Sequence, residues 1–320
     1  MRTVALGLPA ALLGGTVSHA SAAQARSGTN PIADEPPECT PTGKVIQWGP
    51  AGAPAVPAAG SSGVTAISSG VCANLYNLML KDGRVTTWGN FNFQDTNQQR
   101  LSRVPVAATK DVTAIATAGM FSLALRDGGV IIWGGTSDTQ LTVPEAAKSG
   151  VTAIAGANGG TSSGLFLKDG GVIQWRGQAT LPDEAKEGIV AISTSYHSLA
   201  LREDGRVITW APTLTPNLAV PAEAQSGVTA ISAGAGFSLA LKDGGVIAWG
   251  GNDYGQLEVP YEAQSDVVKI SAGNMASMAL TAGGQVIVWA YNGNGQLNVP
   301  AAANCAVSAI SCGYLCLALQ

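Results

Sequence analysis

Residues 227–260 read GVTAISAGAGFSLALKDGGVIAWGGNDYGQLEVP, and versions of this stretch recur along the chain. It contains three short, apolar, β-rich segments, VTAIS, SLALK and GVIAW, which are separated by glycine or by Asp-Gly. Such segments are typical of β-strands, and Asp-Gly between the second and third favours a tight hairpin. One unit therefore predicts a three-stranded antiparallel sheet.

Three features of the sequence each occur seven times, which indicates seven units. The third segment ends in tryptophan at positions 48, 88, 133, 175, 210, 249 and 289. The first segment begins at positions 64, 112, 151, 189, 228, 267 and 307, and a proline lies seven residues before each of these. Short sheets that must cover both faces can do so by stacking radially around an axis. The repeat predicts an all-β, seven-bladed β-propeller of short three-stranded blades.

The two ends of the repeat region complement each other. The folded chain begins with a third segment ending at Trp48, whereas Val307–Leu319 supply a first and a second segment without a third. We expect the N- and C-terminal strands to pair in one shared blade, which closes the propeller and removes two free sheet edges. The propeller is predicted to span residues 43–320.

The N-terminal region indicates export. Arg2, the apolar run Val4 to Leu13 and the small residues Ala20-Ser21-Ala22 predict a signal peptide over residues 1–25. Residues 26–42 are predicted to be a flexible lead-in. No later apolar stretch is long enough to cross a bilayer, so we expect no membrane span and a secreted or exported protein, in the medium, a periplasm or a lumen.

Composition argues against several functions. Only 12% of the residues are charged and the formal net charge is −4, so no basic surface is expected for nucleic acid. His197 is the one histidine after the predicted signal peptide, and a hydrolase would have to combine it with Ser195 or Ser198. A glycosidase carboxylate pair drawn from Asp138, Asp253 and Glu258 stays open. We expect no enzyme and no cofactor.

Five cysteines follow the predicted signal peptide, at positions 39, 72, 305, 312 and 316, and their spacing matches no zinc-binding pattern. No metal site is expected. We predict that Cys39 pairs with Cys305, Cys312 or Cys316 and so fastens the junction of the two ends. The alternative is that buried free cysteines pack there as small apolar residues.

One face of the predicted propeller varies while the rest of the unit stays constant. Because strand direction alternates, the loop between the first and second strands and the segment after each tryptophan open on the same side, and the Asp-Gly hairpins open on the other. From tryptophan to the residue before the proline the separations are 8, 16, 10, 6, 10, 10 and 10 residues. A constant scaffold with one varied face indicates a binding surface.

Aromatic residues and a carboxylate on that face suit a protein interface. The predicted partner-binding residues are Phe91, Phe93, Tyr196, His197, Asp253, Tyr254, Met275, Tyr291 and Tyr314. Phe121 and Phe237 also fall near this face, but they share one place in the repeat and are expected to pack between blades, as are the seven tryptophans. The partner is expected to be a protein and the chain a monomer.

The repeat resembles that of the regulator of chromosome condensation superfamily, through SLALKDGGVIAWG, GQL.VP and EAQSGVTAI. It is most similar to the secreted bacterial branch, the β-lactamase inhibitory protein type II, over residues 43–320. The resemblance implies a seven-bladed propeller and, in that branch, a protein that plugs an enzyme with loops on one face. The units ending WRGQATLP and WAPTLTPNLAVP depart from the pattern, as does His197 before SLAL. These departures leave the partner open.

The resulting hypothesis is an exported protein-binding propeller that inhibits a secreted or cell-wall enzyme. The alternatives are a carbohydrate-binding or cell-surface lectin with one weak site per blade, and a structural repeat protein. A third alternative is guanine-nucleotide exchange on a small GTPase, as in the nuclear branch of the superfamily. The predicted signal peptide, the acidic balance and the lack of basic tails count against that third function.

Overall fold

The computed structural model describes residues 40–70, 76–135, 141–157 and 163–320. The predicted signal peptide, 1–25, and the predicted lead-in, 26–42, lie outside these residues except for positions 40–42, and both stay predictions. Within the described residues, 21 strands form seven antiparallel sheets of three strands each. The predicted all-β fold with seven three-stranded blades is confirmed.

Each blade uses three consecutive strands, except the closing blade, which combines both ends of the chain. The strands of blades 1 to 3 are β2 Val64–Ser69, β3 Asn77–Lys81, β4 Arg84–Trp88, β5 Val112–Ala118, β6 Phe121–Arg126, β7 Gly129–Gly134, β8 Val151–Gly156, β9 Gly164–Lys168 and β10 Gly171–Trp175. The strands of blades 4 to 6 are β11 Ile189–Thr194, β12 Ser198–Arg202, β13 Val207–Trp210, β14 Val228–Ala233, β15 Phe237–Lys242, β16 Gly245–Gly250, β17 Val267–Ala272, β18 Ala276–Thr281 and β19 Val286–Ala290. Blade 7 consists of β20 Ala309–Cys312, β21 Cys316–Leu319 and β1 Val45–Trp48.

The first strand of every blade contacts the first strands of both neighbouring blades, so these strands form the inner ring of the propeller. The ring closes through blade 7, where β1 pairs with β21 in the register Val45↔Leu319 to Trp48↔Cys316. The backbone N–H groups of Thr42, Gly43 and Lys44 all donate to the carbonyl of Gln320. Closure by the N- and C-terminal strands is therefore as predicted.

The Asp-Gly pairs form the hairpins between the second and third strands. Asp82, Asp127, Asp169 and Asp243 have φ of 50° or 51°, and the glycine after each is also left-handed. Such backbone angles match the twist of a two-residue hairpin, and aspartate tolerates them better than most residues. These aspartates are turn residues, as expected.

Each repeated proline begins the link to the next blade. It precedes a 3₁₀ turn in every unit; these turns are Ala58–Ser61, Val106–Ala108, Glu145–Ala147, Asp183–Ala185, Ala222–Gln225, Tyr261–Ala263 and Ala301–Asn304. A further 3₁₀ turn, Pro216–Leu218, follows Trp210. The cation at the end of SLALK caps the turn, as in the hydrogen bonds from Arg126 to Ala107 O (3.0 Å) and from Lys242 to Glu223 O (3.1 Å). These repeated charges are structural.

The seven tryptophans hold adjacent blades together, as predicted. Each ring is buried, and each indole N–H donates to a residue of the preceding blade or of the segment that follows it. Trp249, for example, donates to Leu218 O at 3.3 Å and Trp289 to Gln256 O at 2.9 Å. A buried indole needs such an acceptor, so each ring fixes its blade to the one before it.

Serine hydroxyls add a second set of bonds at the inner ring. The serine of the AIS motif accepts the backbone N–H of the next blade at five of the seven junctions. At the other two, alanine occupies the serine position, at Ala116 and Ala155. Ser311 accepts from the N–H of Ser69 at 2.9 Å, so the junction between blades 7 and 1 is bonded in the same way.

Candidate functional site: the loop face

The loop face comprises the loops between first and second strands together with the segments that follow each tryptophan. Most of the predicted partner-binding residues are accessible there. Phe93, Tyr196, Asp253 and Tyr254 are exposed, and the residues of intermediate exposure are Phe91, Met275, Tyr291 and Tyr314. His197 is the exception, because its ring is buried.

Tyr254 and Tyr291 form the best-defined feature of the loop face. Tyr254 lies in the segment after β16 and Tyr291 in the segment after β19, on adjacent blades. Their rings meet edge to face, with centroids 5.1 Å apart and an interplanar angle of 71°. Tyr254 remains 45% exposed, so the pair presents aromatic surface to solvent although each ring is supported by the other.

The two segments that carry these tyrosines are built in the same way and are stiff. In the segment after β16, the Asn252 side chain accepts the N–H of Leu257 at 2.9 Å. In the segment after β19, Asn292 accepts the N–H of Leu297 at the same distance. Gln256 accepts the N–H of Tyr254 through its side-chain oxygen and is buried. The aromatic pair is therefore held in place by hydrogen bonds within its own segments.

The inner loops of blades 5 to 7 are joined to one another by backbone hydrogen bonds. Ala235 N donates to Gly273 O at 3.1 Å, Asn274 N to Gly313 O at 3.3 Å, and Tyr314 N to Gly70 O at 2.9 Å. Met275 lies in the inner loop of blade 6, and its carbonyl accepts the N–H of Tyr291 at 3.2 Å. Met275, Tyr291 and Tyr314 thus lie on one continuous, bonded edge.

Charge is distributed unequally between the two faces. In blades 5 to 7 the loop-face segments 234–236, 250–258, 273–275, 290–298 and 313–315 contain two charged residues, Asp253 and Glu258. The five ion pairs between described residues all lie on the opposite face, at the Asp-Gly hairpins and the proline turns. A weakly charged surface with exposed aromatic residues is the composition expected of an interface core.

Phe91 and Phe93 form a second aromatic group, with ring centroids 6.4 Å apart, in the long segment after β4. That segment contains the α-helix α1, Thr96–Ser102, which the sequence interpretation missed. Asp95 caps the helix by accepting the N–H of Gln98 at 3.0 Å. Aspartate followed three residues later by glutamine is a helix-start signal and could have identified it. Among the described residues no ring contact joins this group to Tyr254 and Tyr291.

His197 corrects one expectation. It lies in the loop between β11 and β12, as predicted, but its ring is only 2% exposed and Nε2 lies 2.6 Å from Ser238 Oγ of blade 5. Burial lowers the pKa of His197 to about 4, because desolvation penalises the charged imidazolium. The ring links two blades and is not part of the accessible surface; its neighbour Tyr196 is 56% exposed and is.

The geometry also bears on catalysis. His197 contacts Ser238, which is fully buried, and not Ser195 or Ser198 through its ring. Its Nδ1 has no hydrogen-bond partner among the described residues, so no carboxylate orients the ring as in a hydrolase triad. Asp138, one of the three acids considered for a glycosidase, lies outside the described residues. In the part of the chain that the structure describes, no group of three potential metal ligands converges.

Phe121 and Phe237 are fully buried, as expected from their shared place in the repeat. Phe121 packs edge to face on Trp175 with centroids 5.1 Å apart, and the Arg176 guanidinium lies 5.4 Å from its ring centroid. These phenylalanines therefore belong to the packing between blades.

The described cysteines differ from one another. Cys305 is disulfide-bonded, whereas Cys312 and Cys316 are buried free thiols. Of the three predicted partners of Cys39, Cys312 and Cys316 are thus unpaired, as in the alternative of small buried thiols. Cys39 lies outside the described residues, so its pairing with Cys305 stays a prediction. No described helix has the length and apolarity needed to traverse a bilayer.

Comparison with known proteins agrees with this architecture. Residues 228–256 match the model of the regulator of chromosome condensation (RCC1) repeat. No match was found among curated protein sequences. The matched stretch covers β14 to the segment after β16, so the family model recognises one unit of the seven.

Solved structures share the fold at low sequence identity. Prp20p from Saccharomyces cerevisiae, studied for its binding to Gsp1p and histones, is 15% identical with a TM-score of 0.64, over 87% of this chain and 91% of Prp20p. Human WBSCR16 is 17% identical with a TM-score of 0.60, over 87% and 98% of the two chains. The ectodomain of the Physcomitrella patens receptor kinase CR4 is 18% identical with a TM-score of 0.59, over 78% and 69%. The chain has an RCC1-like propeller fold.

Proposed function

We propose that this RCC1-like propeller is an exported protein that binds another protein through the loop face of blades 5 to 7 and inhibits a secreted or cell-wall enzyme. The observation that carries the proposal is the exposed Tyr254–Tyr291 pair on stiff, weakly charged loops. Rigid aromatic anchors give contact area at little cost in conformational entropy, and they dominate the binding energy of many interfaces.

The charges beside the aromatic pair indicate which kind of partner surface is favoured. Asp253 and Glu258 are exposed beside the aromatic pair, and neither forms an ion pair or a side-chain hydrogen bond with another described residue. Two unpaired carboxylates favour a partner whose matching surface is positively charged. We therefore expect association to slow as salt is raised.

Support for export comes from Arg2, the apolar run and the small residues at 20–22. Support for an inhibitor comes from the resemblance to the β-lactamase inhibitory protein type II. A lectin has less support, because the side-chain oxygens of Asn252 and Asn292 are already engaged by their own loops and are not free for sugar hydroxyls. Nucleotide exchange rests on a likeness of fold alone.

The test compares two variants that each remove exposed tyrosine from one face. Tyr254→Ala/Tyr291→Ala removes the aromatic pair, and Tyr261→Ala removes a tyrosine that is 83% exposed on the opposite face. Wild type and both variants are titrated against a class A β-lactamase, and used as baits to capture proteins from the secretome of the native host. We expect wild type and Tyr261→Ala to bind the same partner, and the double variant to bind it at least ~10-fold more weakly.

Equal binding by all three proteins would contradict the proposed face. Inhibition of the β-lactamase would identify the enzyme class, whereas capture of a different protein by the same face would support binding and reject this target. If the bait retains a glycan, and the double variant captures the same proteins as wild type, the lectin alternative is favoured.

A further inference from the structure

We infer that Cys312 and Cys316 are a cross-linking site: under oxidising conditions they form a disulfide across the last hairpin and covalently fasten the closing blade. This inference is independent of the proposed binding function. It concerns two free thiols that the predicted cysteine bond to Cys39 does not require.

The geometry places the two sulfur atoms together. Cys312 ends β20 and Cys316 begins β21, and they are direct partners in the register of that strand pair. Gly313 N donates to Leu315 O at 2.8 Å, and Cys312 N donates across the blades to Ser271 Oγ, so the two cysteines do not bond to each other through their backbones. Side chains approach most closely at such non-hydrogen-bonded pairs, where the Cα atoms are about 4.5 Å apart, within the range that a disulfide spans. The Sγ atoms lie 2.7 Å apart.

The repeat provides an internal comparison. The same cross-strand position holds Ala233 and Ser238 in blade 5, and Ala272 and Ser277 in blade 6. Each of those pairs packs without any sulfur, so the fold itself does not demand cysteine there. The one blade that carries two cysteines at this position is the blade assembled from both ends of the chain.

Burial decides when the bond can form. Cys312 is 6% exposed and Cys316 is fully buried, and burial raises the pKa of the Cys316 thiol well above its usual range. A protonated, inaccessible thiol is a poor nucleophile. Oxidation therefore takes place while the last hairpin is open, during folding, and the packed blade then protects the bond.

The oxidant is a low-molecular-weight disulfide such as glutathione disulfide. The thiolate of one cysteine attacks it and releases one glutathione, and the second cysteine then attacks the mixed disulfide and releases the other. The two cysteines lose two protons and two electrons together, and glutathione disulfide is reduced to two thiols. The product has one bond between Cys312 Sγ and Cys316 Sγ.

The experiment refolds the full chain in a glutathione redox buffer, blocks free thiols with iodoacetamide in denaturant, and digests without reductant. Chymotrypsin cleaves after Tyr314 and Leu315, between the two cysteines. We expect the fragment ending at Tyr314 and the fragment containing Cys316 to stay linked until a reductant is added. Cys305, which is disulfide-bonded in the structure, shows whether the buffer was oxidising enough.

Two variants sharpen the result. Cys312→Ala/Cys316→Ser copies blades 5 and 6 and should fold to the same propeller with Cys305 still oxidised. The fragment ending at Tyr314 contains Cys305 as well as Cys312, and Cys312→Ala shows which of the two is linked to Cys316. We expect the link to be lost in this variant. Two outcomes would overturn the inference: alkylation of both Cys312 and Cys316 in chains whose Cys305 is oxidised, or a link to Cys316 that persists in Cys312→Ala.

Discussion

At the residue scale, the positions that differ most from expectation are those whose neighbours come from another blade. Tyr196 and His197 are adjacent in one short loop, yet the tyrosine is exposed and the histidine is buried against Ser238. The sequence predicts the loop and its face, but which of two neighbouring side chains turns inward depends on a hydroxyl 41 residues away. Phe121 and Phe237 could be assigned to the core because a repeat position reports on packing in several blades at once.

The buried His197 should make stability depend on pH. Its folded pKa of about 4 lies below the ordinary value of 6.5, so between these pH values the unfolded chain binds a proton that the folded chain does not. The contribution of the neutral His197 to the free energy of unfolding is complete above pH 6.5. It is lost as the pH falls towards 4 and does not change further below that. The total loss is about 3 kcal/mol.

Urea unfolding of wild type and His197→Gln at pH 7, 5.5 and 4.5 measures this effect. Because carboxylates also titrate in this range, the relevant quantity is the difference between the two pH profiles. The variant should lose less free energy of unfolding than wild type between pH 7 and 4.5. Parallel profiles would mean that the ring can be protonated without leaving its site.

At the element scale, the blade is built around a few residues with required roles, and most of them can be identified from sequence. Asp-Gly at the hairpin, proline before the 3₁₀ turn and tryptophan at the end of the third strand recur with regular spacing, and each has the role in the structure that its chemistry predicts. The helix α1 was missed because it occurs in one unit only, where no repeat supports it. The contact of Tyr254 with Tyr291 was also unpredicted, since it depends on how two blades are turned relative to each other.

Two glycines with similar backbone angles should respond differently to alanine. Gly205 in the hairpin between β12 and β13 has φ +79° and lies against the next blade, where an added Cβ would be 2.5 Å from Gly227 N. Gly236 has φ +82° with nothing within 4 Å of such a Cβ. Both substitutions impose a left-handed conformation on alanine, at about 1 kcal/mol.

Gly205→Ala should therefore cost about 2 kcal/mol more than Gly236→Ala, since backbone at the blade junction must move. Unfolding of the two variants in urea, with the same denaturant dependence as wild type, provides the comparison. Equal losses would show that the junction between blades 4 and 5 can shift without cost, contrary to its close packing.

At the scale of the whole molecule, ring closure makes every blade depend on two neighbours. The first strands form one uninterrupted ring, and the indole and serine bonds repeat around it. Closure was predictable because the repeat region begins with a third strand and ends with a first and a second. The proposed binding sector was harder to predict, because the unequal distribution of charge between the faces becomes visible only when the loops of several blades are placed side by side.

The position of the chain ends should be exchangeable. Thr42 and Gln320 are hydrogen-bonded to each other, so a short flexible linker from Gln320 to Cys39 can join the ends, and new ends can be placed between the exposed residues Thr213 and Leu214. We expect this permutant to keep the circular dichroism spectrum of the propeller and a thermal midpoint within about 5 °C of wild type.

The matched control opens the chain inside the central strand β15, between Leu239 and Ala240, which are fully buried. That permutant should lose the cooperative transition. If the first permutant loses the cooperative transition as the control does, the chain ends are not exchangeable and the natural shared blade has a special place in the ring.

The shared blade also sets a schedule for biosynthesis. Strand β1 is among the first parts of the propeller to be translated, but its partner β21 is the last of the described strands to be made. Throughout elongation, β1 therefore presents an unsatisfied edge that a chaperone must shield or that can recruit the wrong strand. A nascent chain that is truncated by a nonsense codon or a stalled ribosome never forms the pairing of β1 with β21. Such a product keeps an unpaired strand at its N-terminal end, which makes it an easy target for quality-control proteases. Closure of the ring therefore requires that translation has reached β21.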